Sequence, residues 1–332
     1  MPEASRRIDA VFEGGGVKGI GLAGAVSEAM RLGYAFENVA GTSAGAIIAA
    51  LVAAGYGPDE IERIQKSIDY QAFCDPSALE HVPLVGPPLS LAVENGLYQG
   101  RFFERWIRDL LAKKGVHKFR DLVIPEYADQ PRYRYRLQVI ATDLTHRELL
   151  VLPGDAGKLG IAPDELDVAR AVRMSMSIPY FFEPVTLEAA DGARTCIVDG
   201  GVLSNFPVWL LDDQSRNPPW PTIGFMLIEP SEGKPADVSG PISMLEALVF
   251  TVLEAHDRLY IEESDFARTI GIDTLGVGTT EFDIQPAQRD ALFDSGVEAA
   301  RKFFRTCDFA AWTRAYRARA SLGKSLRQRP AR

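Results

Sequence analysis

Three short stretches of this 332-residue chain set chemically capable residues at spacings that chemistry requires. In GTSAG, Gly41 to Gly45, a serine sits at the centre of a GxSxG pattern. A nucleophile carried on a sharp strand-to-helix turn needs small neighbours so that the backbone can fold tightly. Ser43 would then be presented at the start of a helix. In GGGVKG, Gly14 to Gly19, consecutive glycines precede a helical pattern, so their N–H groups can face outward beside the positive end of the helix dipole. An anion or oxyanion can sit there. In DGG, Asp199 to Gly201, a carboxylate ends the apolar run TCIV. Asp-Gly-Gly alone is a turn. Beside a serine nucleophile it is a candidate general base, provided burial raises a carboxylate pKa that is ordinarily about 3.9.

Rival chemistries are less consistent with the residues. GGGVKG also satisfies GxGxxG, but a dinucleotide fold expects an acidic residue closing the next strand, roughly 20 residues on. That strand ends instead in GTSAG. A Walker loop would need Ser or Thr after Lys18, where Gly19 stands. Lys18 either steadies the glycine loop or faces solvent; its type decides neither. The histidine alternatives to Asp199 are His81, His117, His146 and His256. In the α/β-hydrolase order the histidine comes last, and only His256 follows Asp199, within the polar helical stretch LEAHDRLYIEE. We read it as an exposed helix residue, and His146, after ATDL, as a surface-loop residue.

The elements that must position these groups follow from periodicity. Residues 8–13 read as a buried strand and 19–33 as a helix with an apolar stripe at Ile20, Leu22, Ala23, Val26 and Met30, ended by Gly33. Residues 37–42 read as a strand, 44–54 as a helix of small apolar residues, and 59–68 as a helix opening after Gly57 and Pro58. Strand and helix alternation is the sign of a parallel sheet. Residues 73–95 are proline-rich and irregular, a surface connector or, alternatively, a lid. Further on come a helix at 101–112, a strand at 136–144, a helix opening at Pro163 and Asp164 and running to Ser175, and strands at 184–187, 195–198 and 222–227. A proline-rich linker covers 217–221, and the chain after Pro241 reads as mainly helical. No repeat of 20 to 50 residues is visible.

Composition bounds the remainder. With 46% hydrophobic and 24% charged residues the chain is globular, and its length allows a core large enough to enclose a cavity. A net charge of −9 argues against a protein whose affinity rests on neutralising nucleic-acid phosphates. Cys74, Cys196 and Cys307 are odd in number and widely spaced, which fits a reducing compartment and neither a disulfide framework nor a zinc knuckle. The opening MPEASRR is polar and short, so no export signal is expected. Residues 38–58 are uncharged over a length that could span a bilayer, yet four glycines split them into strand, turn and helix. After Asp308 come seven Lys or Arg and no acid. This is a solvated tail or an electrostatic foothold on anionic lipid, at about 1 kcal/mol per basic residue.

With GGGVKG, GTSAG and DGG in this order, the chain resembles the patatin-like phospholipases, lipid acyl hydrolases. VIATDLTHREL and ARAVRMSMSIPYFFEPV, between the second and third motifs, add to the likeness, which covers most of residues 8–228. Glu13 stands where many relatives carry Asp, and Lys18 where many carry Arg. The resemblance implies a three-layer α/β/α sandwich around a mostly parallel sheet, with 229–332 as a mainly helical extension ending in the basic tail. It implies Ser43 as nucleophile, Asp199 as base and Gly14, Gly15 and Gly16 as oxyanion donors, supported by Lys18, Gly19, Gly41, Gly45, Gly200 and Gly201. Neither metal nor cofactor is implied. The expected substrate is a phospholipid or lysophospholipid met by peripheral membrane contact, in the cytoplasm or after secretion by a signal-free route. A soluble esterase or thioesterase for short acyl chains, and a catalytically silent lipid-binding protein, are the alternatives.

Overall fold

Alternate side chains of a strand face opposite sides of a sheet, and the first strand, β1 (Arg7–Phe12), shows what each side meets. Ala10 and Phe12 join a large core with the helices; Val11 joins a smaller one on the opposite face, with Ala40, Ile140, Phe206, Leu211 and Met226. Both faces are therefore covered, as a parallel sheet requires. This computed structural model describes residues 6–74, 96–211, 220–229 and 268–307, with single positions at 238, 244, 247 and 251.

After β1 the chain runs through α1 (Gly19–Arg31), β2 (Ala35–Thr42), α2 (Ala44–Ala53) and α3 (Pro58–Ser67). Next come β3 (Gly96–Tyr98), α4 (Arg101–Lys113), β4 (Leu137–Asp143), β5 (Glu148–Leu152), α5 (Val168–Ser175), β6 (Tyr180–Phe182), β7 (Val185–Glu188) and β8 (Arg194–Asp199). β9 (Thr222–Ile228), β10 (Thr269–Asp273) and α6 (Pro286–Thr306) complete the described chain. The eight-stranded sheet has the order β10-β9-β1-β2-β4-β8-β7, with β5 paired to β4 off that path. From β10 to β4 the neighbours are parallel; β5, β7 and β8 add antiparallel pairs, and β3 and β6 form a separate parallel pair. The expected architecture, a mostly parallel central sheet with flanking helices, is the one found.

The uncharged stretch from Asn38 is the end of β2, the turn at Ser43 and α2, and among the described residues no helix is long and apolar enough to cross a membrane. Two local expectations differ from the structure. The helix expected from 163 to 175 is split into a short 3-10 turn at Pro163–Glu165 and α5, because Asp167 acts as an N-cap, its side chain accepting the Arg170 N–H at 2.8 Å. Beyond residue 228 the chain is not helical throughout, since β10 pairs with β9 at the sheet edge while α6 packs along α1, where Phe304 stacks on Tyr34 at 4.1 Å between ring centroids. Residues 75–95, the 252–267 stretch, the basic tail, His81 and His256 lie outside the described residues.

The pairing around β4 brings distant segments together. β5 occupies one edge of β4 at Val139 to Asp143, so both β2, paired at Leu137 to Ile140, and β8, paired at Ala141 to Asp143, must share the other edge. β2 runs parallel to β4 and β8 antiparallel, so the two meet head to head: Thr42 lies opposite Ile140 and Asp199 opposite Ala141. The residue after Thr42 and the last residue of β8 are thereby adjacent.

Candidate active site

Ser43 occupies that junction, 4% exposed and immediately before α2. Its φ of 53° and ψ of −125° lie in a region costly for a residue with a side chain, the strain expected of a nucleophile elbow. The tightness of the turn explains the glycines: a Cβ on Gly45 would lie 2.3 Å from the Phe12 carbonyl oxygen, and one on Gly41 2.3 Å from the Gly45 carbonyl oxygen. Gly19, at the start of α1, is packed against Ala44, and Gly200 against the Ile140 carbonyl. Thr42 Oγ1 donates to the Ser204 carbonyl at 3.1 Å, tying the elbow to the turn that follows β8.

Asp199 is 1% exposed. Its Oδ1 accepts the Gly201 N–H at 2.8 Å, while Oδ2 is buried without a hydrogen-bond partner among the described residues. Burial raises its pKa to about 7, against the opposing effects of the Ser43 hydroxyl and the Gly201 N–H. The Ser43 hydroxyl lies close enough to the carboxyl to lower its pKa by hydrogen bonding, although no hydrogen bond of normal geometry reaches Oδ2, and Met176 Sδ lies 3.6 Å from Ser43 Oγ. A carboxylate that titrates near 7 beside a hydroxyl is matched to proton transfer at neutral pH.

The glycine loop borders the same junction. The three N–H groups are not equivalent: Gly14 donates to the Asn205 carbonyl at 3.1 Å, whereas those of Gly15 and Gly16 make no hydrogen bond among the described residues. Of the three N–H groups expected as oxyanion donors, that of Gly14 is thus already paired with the chain that follows DGG. Gly16 is held at φ +57°, and a Cβ there would lie 2.1 Å from the Thr279 carbonyl oxygen. Lys18 is buried and ion-paired, Nζ lying 2.5 Å from Glu229 Oε1, so it steadies the loop instead of facing solvent. Glu13 is also committed, Oε2 accepting the Leu227 N–H at 2.5 Å.

His146 lies apart in role. Its Nδ1 is 2.7 Å from Asp143 Oδ2 and its Nε2 3.2 Å from Asp191 Oδ2. Both carboxylates raise its pKa, and both ring nitrogens are engaged, which leaves neither to take a serine proton. Sequence reasoning singled out neither Asn205, whose Nδ2 donates to the Gly14 carbonyl at 3.2 Å, nor Ser175, whose Oγ accepts the Ser43 N–H at 2.8 Å. Both fall within or just after quoted motifs, but only three-dimensional proximity shows what they hold.

The model of the patatin-like phospholipases matches residues 10–212, more than half of the chain. An uncharacterized protein of Bacillus subtilis, YqhO, is 39% identical over 300 residues, covering 90% of this chain and 98% of that protein. The cUMP-AMP-activated phospholipase of Escherichia coli is 28% identical over 205 residues, 59% of this chain and 55% of that protein. Among solved structures, VipD of Legionella pneumophila has a similar fold, with a TM-score of 0.56 at 17% identity, covering 91% of this chain and 67% of that one.

Proposed function

The chain belongs to the patatin-like phospholipase family, and from that premise we propose that it is a lipid hydrolase that cleaves carboxylic esters of phospholipids or lysophospholipids through an acyl-enzyme on Ser43. The observation that carries the dyad is the buried, unpartnered Oδ2 of Asp199, titrating near 7 beside a strained serine. Ser43 Oγ attacks the ester carbonyl carbon as Asp199 takes its proton. The tetrahedral oxyanion is received by the free N–H groups of Gly15 and Gly16, each worth about 3–4 kcal/mol in such sites. Asp199 passes the proton to the leaving alcohol, then takes one from the water that attacks the acyl-enzyme, and Ser43 is regenerated with release of the fatty acid. The catalytic unit spans 8–228, with the segment beyond it closing the edge of the sheet.

The test is mass-spectrometric detection of free fatty acid from vesicles of mixed phospholipids and lysophospholipids, in chelator, for wild type, Ser43→Ala and Asp199→Asn. Release by wild type alone is expected. Equal release by either folded variant refutes the dyad, and turnover confined to water-soluble esters assigns a soluble esterase instead.

A further inference from the structure

We propose that Ser175, the last residue of α5, is the positioning residue of this reaction, its hydroxyl fixing the turn that aims Ser43 at Asp199. The inference rests on the dyad reading and adds the element that aligns it. Three consecutive residues reach both members of the dyad. Ser175 Oγ accepts the Ser43 N–H at 2.8 Å, Met176 Sδ lies 3.6 Å from Ser43 Oγ, and the Ser177 carbonyl accepts the Asp199 N–H at 2.9 Å.

The need for such a group follows from the backbone. β2 ends at Thr42, so no ladder holds Ser43, and a side-chain-bearing residue at φ 53° persists only where its surroundings over-determine it. Its N–H is buried, and Ser175 Oγ is the acceptor that holds it. Without that oxygen the N–H can regain a partner only by rotation of the Thr42–Ser43 peptide, which carries Oγ away from the carboxylate. The positioning stretch is itself anchored. Ser177 Oγ donates to the Arg173 carbonyl at 2.9 Å and accepts from the buried Arg173 guanidinium, whose Nη2 donates to the carbonyls of Gln99 at 2.8 Å and Glu183 at 2.7 Å. The elbow, the base and the chain on either side of α5 are thus registered against one another by six residues.

The experiment measures hydrolysis of 4-nitrophenyl butyrate per active site, counting sites by titration of Ser43 with a fluorophosphonate, for wild type, Ser43→Ala, Ser175→Ala and Ser175→Cys. Loss of an acceptor for a buried N–H is expected to lower kcat of Ser175→Ala about 10- to 100-fold, with KM within about twofold of wild type. Fluorophosphonate labelling slows by the same factor, while the acid limb of the pH profile does not move to lower pH, because the burial that chiefly raises the Asp199 pKa is kept and only the lowering influence of the Ser43 hydroxyl is lost. Ser175→Cys, close in size but a poor acceptor, is slowed likewise and carries the test if Ser175→Ala does not fold. A wild-type rate per titrated site in either folded variant overturns the proposal, including the case in which only the number of sites falls. Wild-type hydrolysis that survives Ser43→Ala overturns the dyad reading and this inference with it.

Discussion

Replacing Asp199 with Asn should make the protein inactive and, above neutral pH, more stable. The native carboxyl, pushed up to about 7 by burial, binds its proton more tightly than the unfolded chain, where the pKa is about 3.9. A group of this sign contributes stability fully below about pH 4 and loses it as pH rises through about 7. At pH 5 the native group is protonated and the unfolded one mostly ionised, at a cost of about 1.5 kcal/mol; at pH 8 the cost reaches about 4 kcal/mol. Asparagine keeps the size and the acceptor for the Gly201 N–H but does not titrate. The unfolding free energy of Asp199→Asn relative to wild type, from urea titrations, should therefore rise by roughly 2 to 3 kcal/mol between pH 5 and pH 8. In the same pH range wild-type kcat should climb with a midpoint near 7, as the base ionises. A pH-independent difference in stability, together with an acid limb centred at pH 5 or below, would refute the argument that burial tunes this carboxylate.

Three further outcomes can be checked. Gly16→Ala forces a Cβ to within 2.1 Å of the Thr279 carbonyl oxygen at a φ of +57°, so the loop must shift and activity should fall by about 100-fold or more, read as kcat on an ester substrate. Ser43→Gly removes the side chain from a left-handed backbone; it should abolish turnover yet raise stability by about 1 kcal/mol in denaturant titration, the strain relieved outweighing the entropy of glycine. His146→Gln breaks the pairs to Asp143 and Asp191, which lie outside the dyad, and should leave kcat within about twofold of wild type. Loss of turnover there would return histidine to the mechanism.

What the sequence alone determined is local. Glycine, serine and alanine in GTSAG dictate a tight turn because nothing larger fits between Phe12 and Gly45. The period of the apolar residues marks α1 and α2, and the apolar runs mark β1, β2, β4 and β9, since each pattern reports which face a single element must bury. β10 carries no sequence signal of its own because TIGID is a strand only through its pairing with β9, and the helical pattern of 163–175 is interrupted because a cap at Asp167 competes with helix continuation. What tertiary structure alone decided depends on segments far apart in the chain. The head-to-head meeting of β2 and β8 follows from β5 taking the opposite edge of β4. The pKa of Asp199 follows from the walls around it, and the pairing of the Gly14 N–H from a carbonyl 191 residues away. Burial and long-range hydrogen bonds have no local signature, so the residue types suggest a candidate nucleophile and a candidate base, and only the fold shows that Ser43 and Asp199 lie together.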